Sequence, residues 1–239
     1  MAVVNGSRYC GTCGHRQIVD DIPETSYRFL QLKQVGLFFG LHLIICCLAE
    51  FVDYFDTLKW MAVFDIILAT INISFVALNW STVKHYLKWP DFSIQKLSLY
   101  VGIAMLISLF THYTITWINE TIFDKHVYYY YAFADLKYGK ALMLLSMAVV
   151  PALSEELGFR AYLINGLLKI VDVKQAIIIS SFLFSIIHLS FLSLYWLLPF
   201  SMFIAYIFLK EKTMWYGVCF HFAFNLTACL FEIIDVVPL

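Results

Sequence analysis

Apolar runs about as long as a bilayer is thick recur along this chain, separated by short polar links. A transmembrane α-helix needs roughly 20 predominantly apolar residues. In hydrocarbon it must satisfy every backbone N–H and C=O within itself. The runs predict seven spans, over 35–52, 60–80, 97–117, 141–164, 175–191, 192–209 and 214–234. An eighth segment is expected if 121–138, with its four consecutive tyrosines Tyr128 to Tyr131, forms a short interfacial helix or a re-entrant piece. The fold class is therefore all-α, a polytopic membrane bundle of seven to eight transmembrane helices. Composition agrees: 62% of the 239 residues are hydrophobic and 14% charged, against roughly 45–50% and about 25% in soluble domains. Trp60, Trp80, Trp117 and Trp215 fall near predicted span ends, where an interfacial aromatic belt would place them.

Charge adds exclusions and an orientation. The formal net charge is −1 and no basic patch stands out, so no nucleic-acid partner is implied. If the N-terminus is inside, Lys59, Lys125, Lys137 and Lys140 are the basic residues of the outer links. The remaining Lys and Arg, Arg160 aside, fall on the inner side. The positive-inside rule then favours a cytoplasmic N-terminus and, with seven spans, an external C-terminus. The expected location is the plasma (inner) membrane, multi-pass.

Two domains are expected: a polar tail over 1–34 and the bundle over 35–239. The tail lacks the apolar core of a signal peptide. It carries Cys10 and Cys13 in a Cys-x-x-Cys turn, followed by Gly14 and His15. Such a turn aims two thiolates at one ion and reads as half a zinc ribbon, or else as an exposed reduced thiol pair. Of the other cysteines, Cys46, Cys47, Cys219 and Cys229 lie in apolar runs, which does not resemble a secreted disulfide framework.

The chemistry gathers in three of the predicted spans. Glu155, Glu156 and Arg160 directly follow the apolar run 141–150. Ionisable groups in a membrane segment are costly and mark functional sites by default. On a helix Glu156 and Arg160 are i,i+4 neighbours and can pair, while Glu155 lies about 100° further round. One carboxylate can thus be held while the other stays free. Gly158 leaves room for a neighbouring helix, and Pro151 frees a carbonyl one turn back. His188 shares a face with Phe184; His221 shares one with Asn225. A carboxylate, two imidazoles and an amide could activate water, by general-base action or on a metal, and stabilise a tetrahedral oxyanion. Singly, each has a structural reading: interhelical hydrogen bonding for the His and Asn residues, a buried ion pair for Glu and Arg.

Together the motifs Glu155-Glu156-Leu-Gly-Phe-Arg160, Phe184-Ser-Ile-Ile-His188 and His221-Phe-Ala-Phe-Asn225 resemble, in order and spacing, the CAAX-type and bacteriocin-processing (CPBP, Abi) intramembrane proteases. The similarity covers about 140–230. The resemblance implies an intramembrane endopeptidase with its site in a cavity open to the cytosol or the membrane. It makes Glu155, with His188, the activator of water. His221 and Asn225 become oxyanion donors, and Glu156 and Arg160 supports. The substrate implied is a peptide or lipidated protein, in a lipid bilayer. The family is described both as glutamate-based and as metal-dependent, so zinc held by Glu155, His188 and His221 stays open. Ala161 stands where family members often have Gly.

Other polar residues in the spans are His42, Glu50, Asp65, Asn72 and His112. They are expected near span ends or along a hydrated interior. His42 and Glu50, about 80° apart on a helix, could face one cavity, as in a small transporter. A non-catalytic immunity or scaffold protein is the remaining alternative.

Overall fold

A computed structural model describes residues 24–89, 91–123 and 128–236. The Cys10/Cys13 tail lies outside these residues. No strand occurs among the described residues, and the elements are helices. The long ones are α1 (Glu24–Phe51), α2 (Leu58–Leu78), α3 (Ile94–Ile122), α4 (Gly139–Leu167), α6 (Leu194–Glu211) and α7 (Trp215–Val236). Between α4 and α6 lies the shorter α5 (Val173–Ile186). The six long helices are apolar enough to cross a membrane.

Local sequence chemistry sets the helix starts. Thr57 and Ser93 cap α2 and α3, each hydroxyl accepting a backbone N–H three residues on. Asp172 and Gln175 form a reciprocal capping box at the start of α5. At the other end of α6, Lys212 turns left-handed at φ 53° and stops the helix.

Polar contacts fix the order of passes. On one face, Arg28 donates to the Ile170 carbonyl after α4 at 2.7 Å, and Asn165 reaches Thr82 beyond the end of α2. Lys96 at the start of α3 pairs with Glu211 at the end of α6 at 2.6 Å, and Trp215 Nε1 at the start of α7 donates to the Leu87 carbonyl. On the opposite face, His112 pairs with Asp235, and the Tyr130 N–H donates to Glu232 near the end of α7. The chain therefore alternates between faces through the six long helices and the shorter α5, and its described ends lie on opposite faces.

Two expectations change in detail. The predicted span 175–191 contains a helix of 14 residues, about 21 Å long against about 30 Å of hydrocarbon. The pass is finished by the non-helical stretch up to Ser193. Irregular backbone at membrane depth is tolerated where it lines a cavity, and His188, Ser190 and Ser193 do line one. The tyrosine-rich 121–138 region is not an eighth pass. Its described part holds a single 3-10 turn, Tyr129–Ala132. Tyr130 and Phe133 pack with Met143 and Cys229, closing one end of the bundle. The main core is aromatic and aliphatic, with Phe38, Phe159, Phe184, Phe208 and Phe220 fully buried.

Candidate active site

The site is built on α4, whose backbone widens twice into π-helix, at Leu145–Val149 and Glu156–Ile164. Such widened turns are rare and occur often at functional sites. Pro151 has no N–H for the carbonyl of Met147, four residues back. That carbonyl accepts instead from Asn225 Nδ2 at 2.9 Å. The proline thus determines where the α7 amide sits, a coupling that neither motif announces alone.

Glu155 and Glu156 part company as the helix geometry predicts. Glu156 is fully buried. Its Oε2 lies 3.1 Å from Arg160 Nε, and its Oε1 accepts from His221 Nδ1 at 2.9 Å. Arg160 is sealed in as well: Nη2 donates to Ser201 at 3.3 Å and the guanidinium stacks on Phe184 at 4.6 Å. Glu155 is partly open. Its Oε2 has no hydrogen-bond partner among the described residues, and His221 Nε2 stands 4.0 Å away.

His188 follows the end of α5. Its Nδ1 donates to the Phe184 carbonyl at 2.9 Å, which leaves Nε2 with its lone pair in the neutral ring. The next residue, Leu189, is left-handed at φ 50°. Leucine rarely adopts that conformation, and strain of this kind costs of order 1–3 kcal/mol and clusters at functional sites. Phe184 and Phe200 pack against the two imidazoles, with Phe200 at 5.2 Å from His221.

Glu155, His188, His221 and Asn225 line one cavity of about 540 Å³, within the range of small-ligand sites. A second, smaller cavity of about 140 Å³ lies against the first and shares Asp65, Pro151, Glu155 and His188 with it. Glu156 and Arg160 line neither and sit behind the wall. The metal alternative requires Glu155, His188 and His221 to converge. Among the described residues no group of three or more His, Cys, Asp or Glu is arranged to hold a metal ion.

Some residues gained meaning only in three dimensions. Gly217, one turn before His221, lets the Glu156 carboxylate reach α7: an added Cβ would stand 3.2 Å from Glu156 Oε2 and 3.0 Å from Ile204. Gly158 admits a side chain of α2, because an added Cβ would overlap Asn72 Oδ1. Asn72 in turn meets His42 Nε2 at 3.0 Å, while His42 Nδ1 donates to the Phe38 carbonyl. The Asn72 atom facing Nε2 is the amide oxygen, an acceptor. Glu50 does not join His42 in one cavity; it is exposed near the end of α1. Asp65 lines both cavities, and His112 lines the larger while paired with Asp235.

The multi-pass bundle thus gathers a carboxylate, two imidazoles and an amide on one cavity. Residues 137–227 match the family described as type II CAAX prenyl endopeptidase Rce1-like. That segment carries all three polar motifs, and over it the chain is similar to the CAAX-type (CPBP) intramembrane proteases. No curated protein and no solved structure matches the chain.

Proposed function

We propose that this protein is an intramembrane endopeptidase that hydrolyses a peptide bond by a glutamate-activated water. The observation that carries the reading is the unpartnered Oε2 of Glu155, on the same cavity as His188, His221 and Asn225. A buried carboxylate oxygen calls for a hydrogen-bond donor, and water fits. Glu155 accepts the water proton as the oxygen attacks the scissile carbonyl carbon, with His188 Nε2 as a second acceptor orienting the water. Negative charge moves to the former carbonyl oxygen. Protonated His221, steadied by Glu156, donates to it through Nε2–H, and Asn225 donates through the amide hydrogen that Met147 does not take. The C–N bond then breaks, and the proton held by Glu155 passes to the departing amine. Glu156 and Arg160 are positioning residues, since both are sealed behind the wall.

The substrate class is a peptide or lipidated-protein segment at the membrane surface, and the N-terminus is cytoplasmic. Purified protein in liposomes, given a panel of prenylated and unprenylated peptides, should release cleaved product, and Glu155→Gln should abolish it. Equal cleavage by wild type and Glu155→Gln overturns the assignment. So does no cleavage of any peptide by folded wild type, which favours a non-catalytic scaffold. Metal analysis of the same samples tests zinc independently.

A further inference from the structure

The cavity is not centred in the bundle. On α2 it is lined by Met61 and Asp65, in the first half of Leu58–Leu78. Its α3 lining starts at Ser108 and ends at Glu120, in the second half of that helix. On α6 it takes Trp196 to Phe200, near the start, and on α7 His221 to Glu232, toward the end. Because the passes alternate, these parts all belong to one half of the bundle. It is the half where the 3-10 turn closes the end, and Tyr128 and Tyr129 stand at the cavity's rim.

Basic residues gather at the other end. Arg28, Lys84, Lys88, Lys96, Lys169 and Lys212 all belong to the face where α1 begins. On the cavity face the described basic residues are Lys59, Lys137 and Lys140, among the acids Asp53, Asp56, Asp135 and Asp235. Short links rich in Lys and Arg stay in the cytoplasm. We infer that the cavity opens to the side of the membrane away from the cytoplasm, and that the bond cut belongs to a peptide segment presented from that side. This rests on the endopeptidase reading for its substrate, while the direction of opening stands on charge and topology alone. It departs from an opening to the cytosol, one of the two openings that the family resemblance implies.

The test is cysteine accessibility in intact cells. All six native cysteines are replaced by serine, and one cysteine is added as Asp56→Cys on the cavity face or Lys84→Cys on the basic face. A membrane-impermeant maleimide should label Asp56→Cys before lysis and Lys84→Cys only after permeabilisation. The reverse pattern, or equal labelling of both, overturns the inference. A second measurement needs no cysteine replacement: an epitope tag after Leu239, beyond the cavity-face end of α7, should bind antibody on unpermeabilised cells. A tag reached only after permeabilisation overturns it equally. Neither readout uses hydrolysis, so a protein that labels as expected yet cuts nothing sinks the peptidase reading alone.

Discussion

The polar groups of α4 to α7 and those of α1 and α2 meet at Glu155, but they are arranged to opposite ends. On the α4–α7 side each group has one atom fixed and one left open. His188 is held through Nδ1 and presents Nε2, and Asn225 is held through one amide hydrogen. On the α1–α2 side His42 and Asn72 use their polar atoms on each other and on the Phe38 carbonyl. The lipid-facing character follows the same division: 17% of the most apolar α1 and α2 windows is buried, against 44% for α7. The bundle thus carries two kinds of polar residue: some are anchored at one atom and leave another on the cavity, while others pair with each other and pack against the helix that carries Glu155.

Substitutions can break that contrast, beginning with the largest expected effect. Glu155→Gln should lower kcat by about 10²- to 10⁴-fold with an unchanged melting temperature, because its Oε2 holds nothing in the resting fold. Glu156→Gln should do the reverse of a clean catalytic lesion. It leaves Arg160 buried beside a neutral partner, and breaking such a pair costs roughly 3–5 kcal/mol, to be read by denaturation in detergent. A Glu156→Gln protein as stable as wild type would undo the division between the two glutamates. Asn225→Ala should reduce kcat by about 10²- to 10³-fold, as for loss of one oxyanion donor. It should also destabilise by about 1–3 kcal/mol, because the Met147 carbonyl loses its donor in a partly buried place.

Smaller effects test the α1–α2 support. Gly158→Ala should cost about 1–3 kcal/mol by overpacking, since the new methyl displaces Asn72. Pairing it with Asn72→Ala should recover part of that loss, and thermal melting of the single and double variants checks the coupling. The least effect is expected from Asp235→Asn. Its pair with His112 is partly solvent-exposed, and such pairs are worth about 0–1 kcal/mol.

Much of this was legible in the chain. Runs of apolar residues gave the passes, because hydrocarbon thickness dictates their length. The spacing of Glu156 and Arg160 gave their pairing, and the 100° step to Glu155 gave the free carboxylate. The 175–191 pass was misjudged in form, since hydropathy cannot tell a full helix from a short one whose unwound end faces a cavity. Gly217 carried no signal of its own: its value lies in what approaches it from α4. His42 and Asn72 were noticed but not joined, because they sit on different helices and only packing brings them into contact.

By itself, then, the order of residues determined that α-helices would cross a bilayer and which of them would carry acid, imidazole and amide. Those are consequences of local backbone satisfaction and helical spacing. Only the packed bundle decided which glutamate would be sealed and which left open, that the Met147 carbonyl beside Pro151 would hold Asn225, and toward which face the cavity would lie. Those outcomes depend on groups far apart in the chain competing for the same buried space, where each hydrogen bond made by one removes a partner from another.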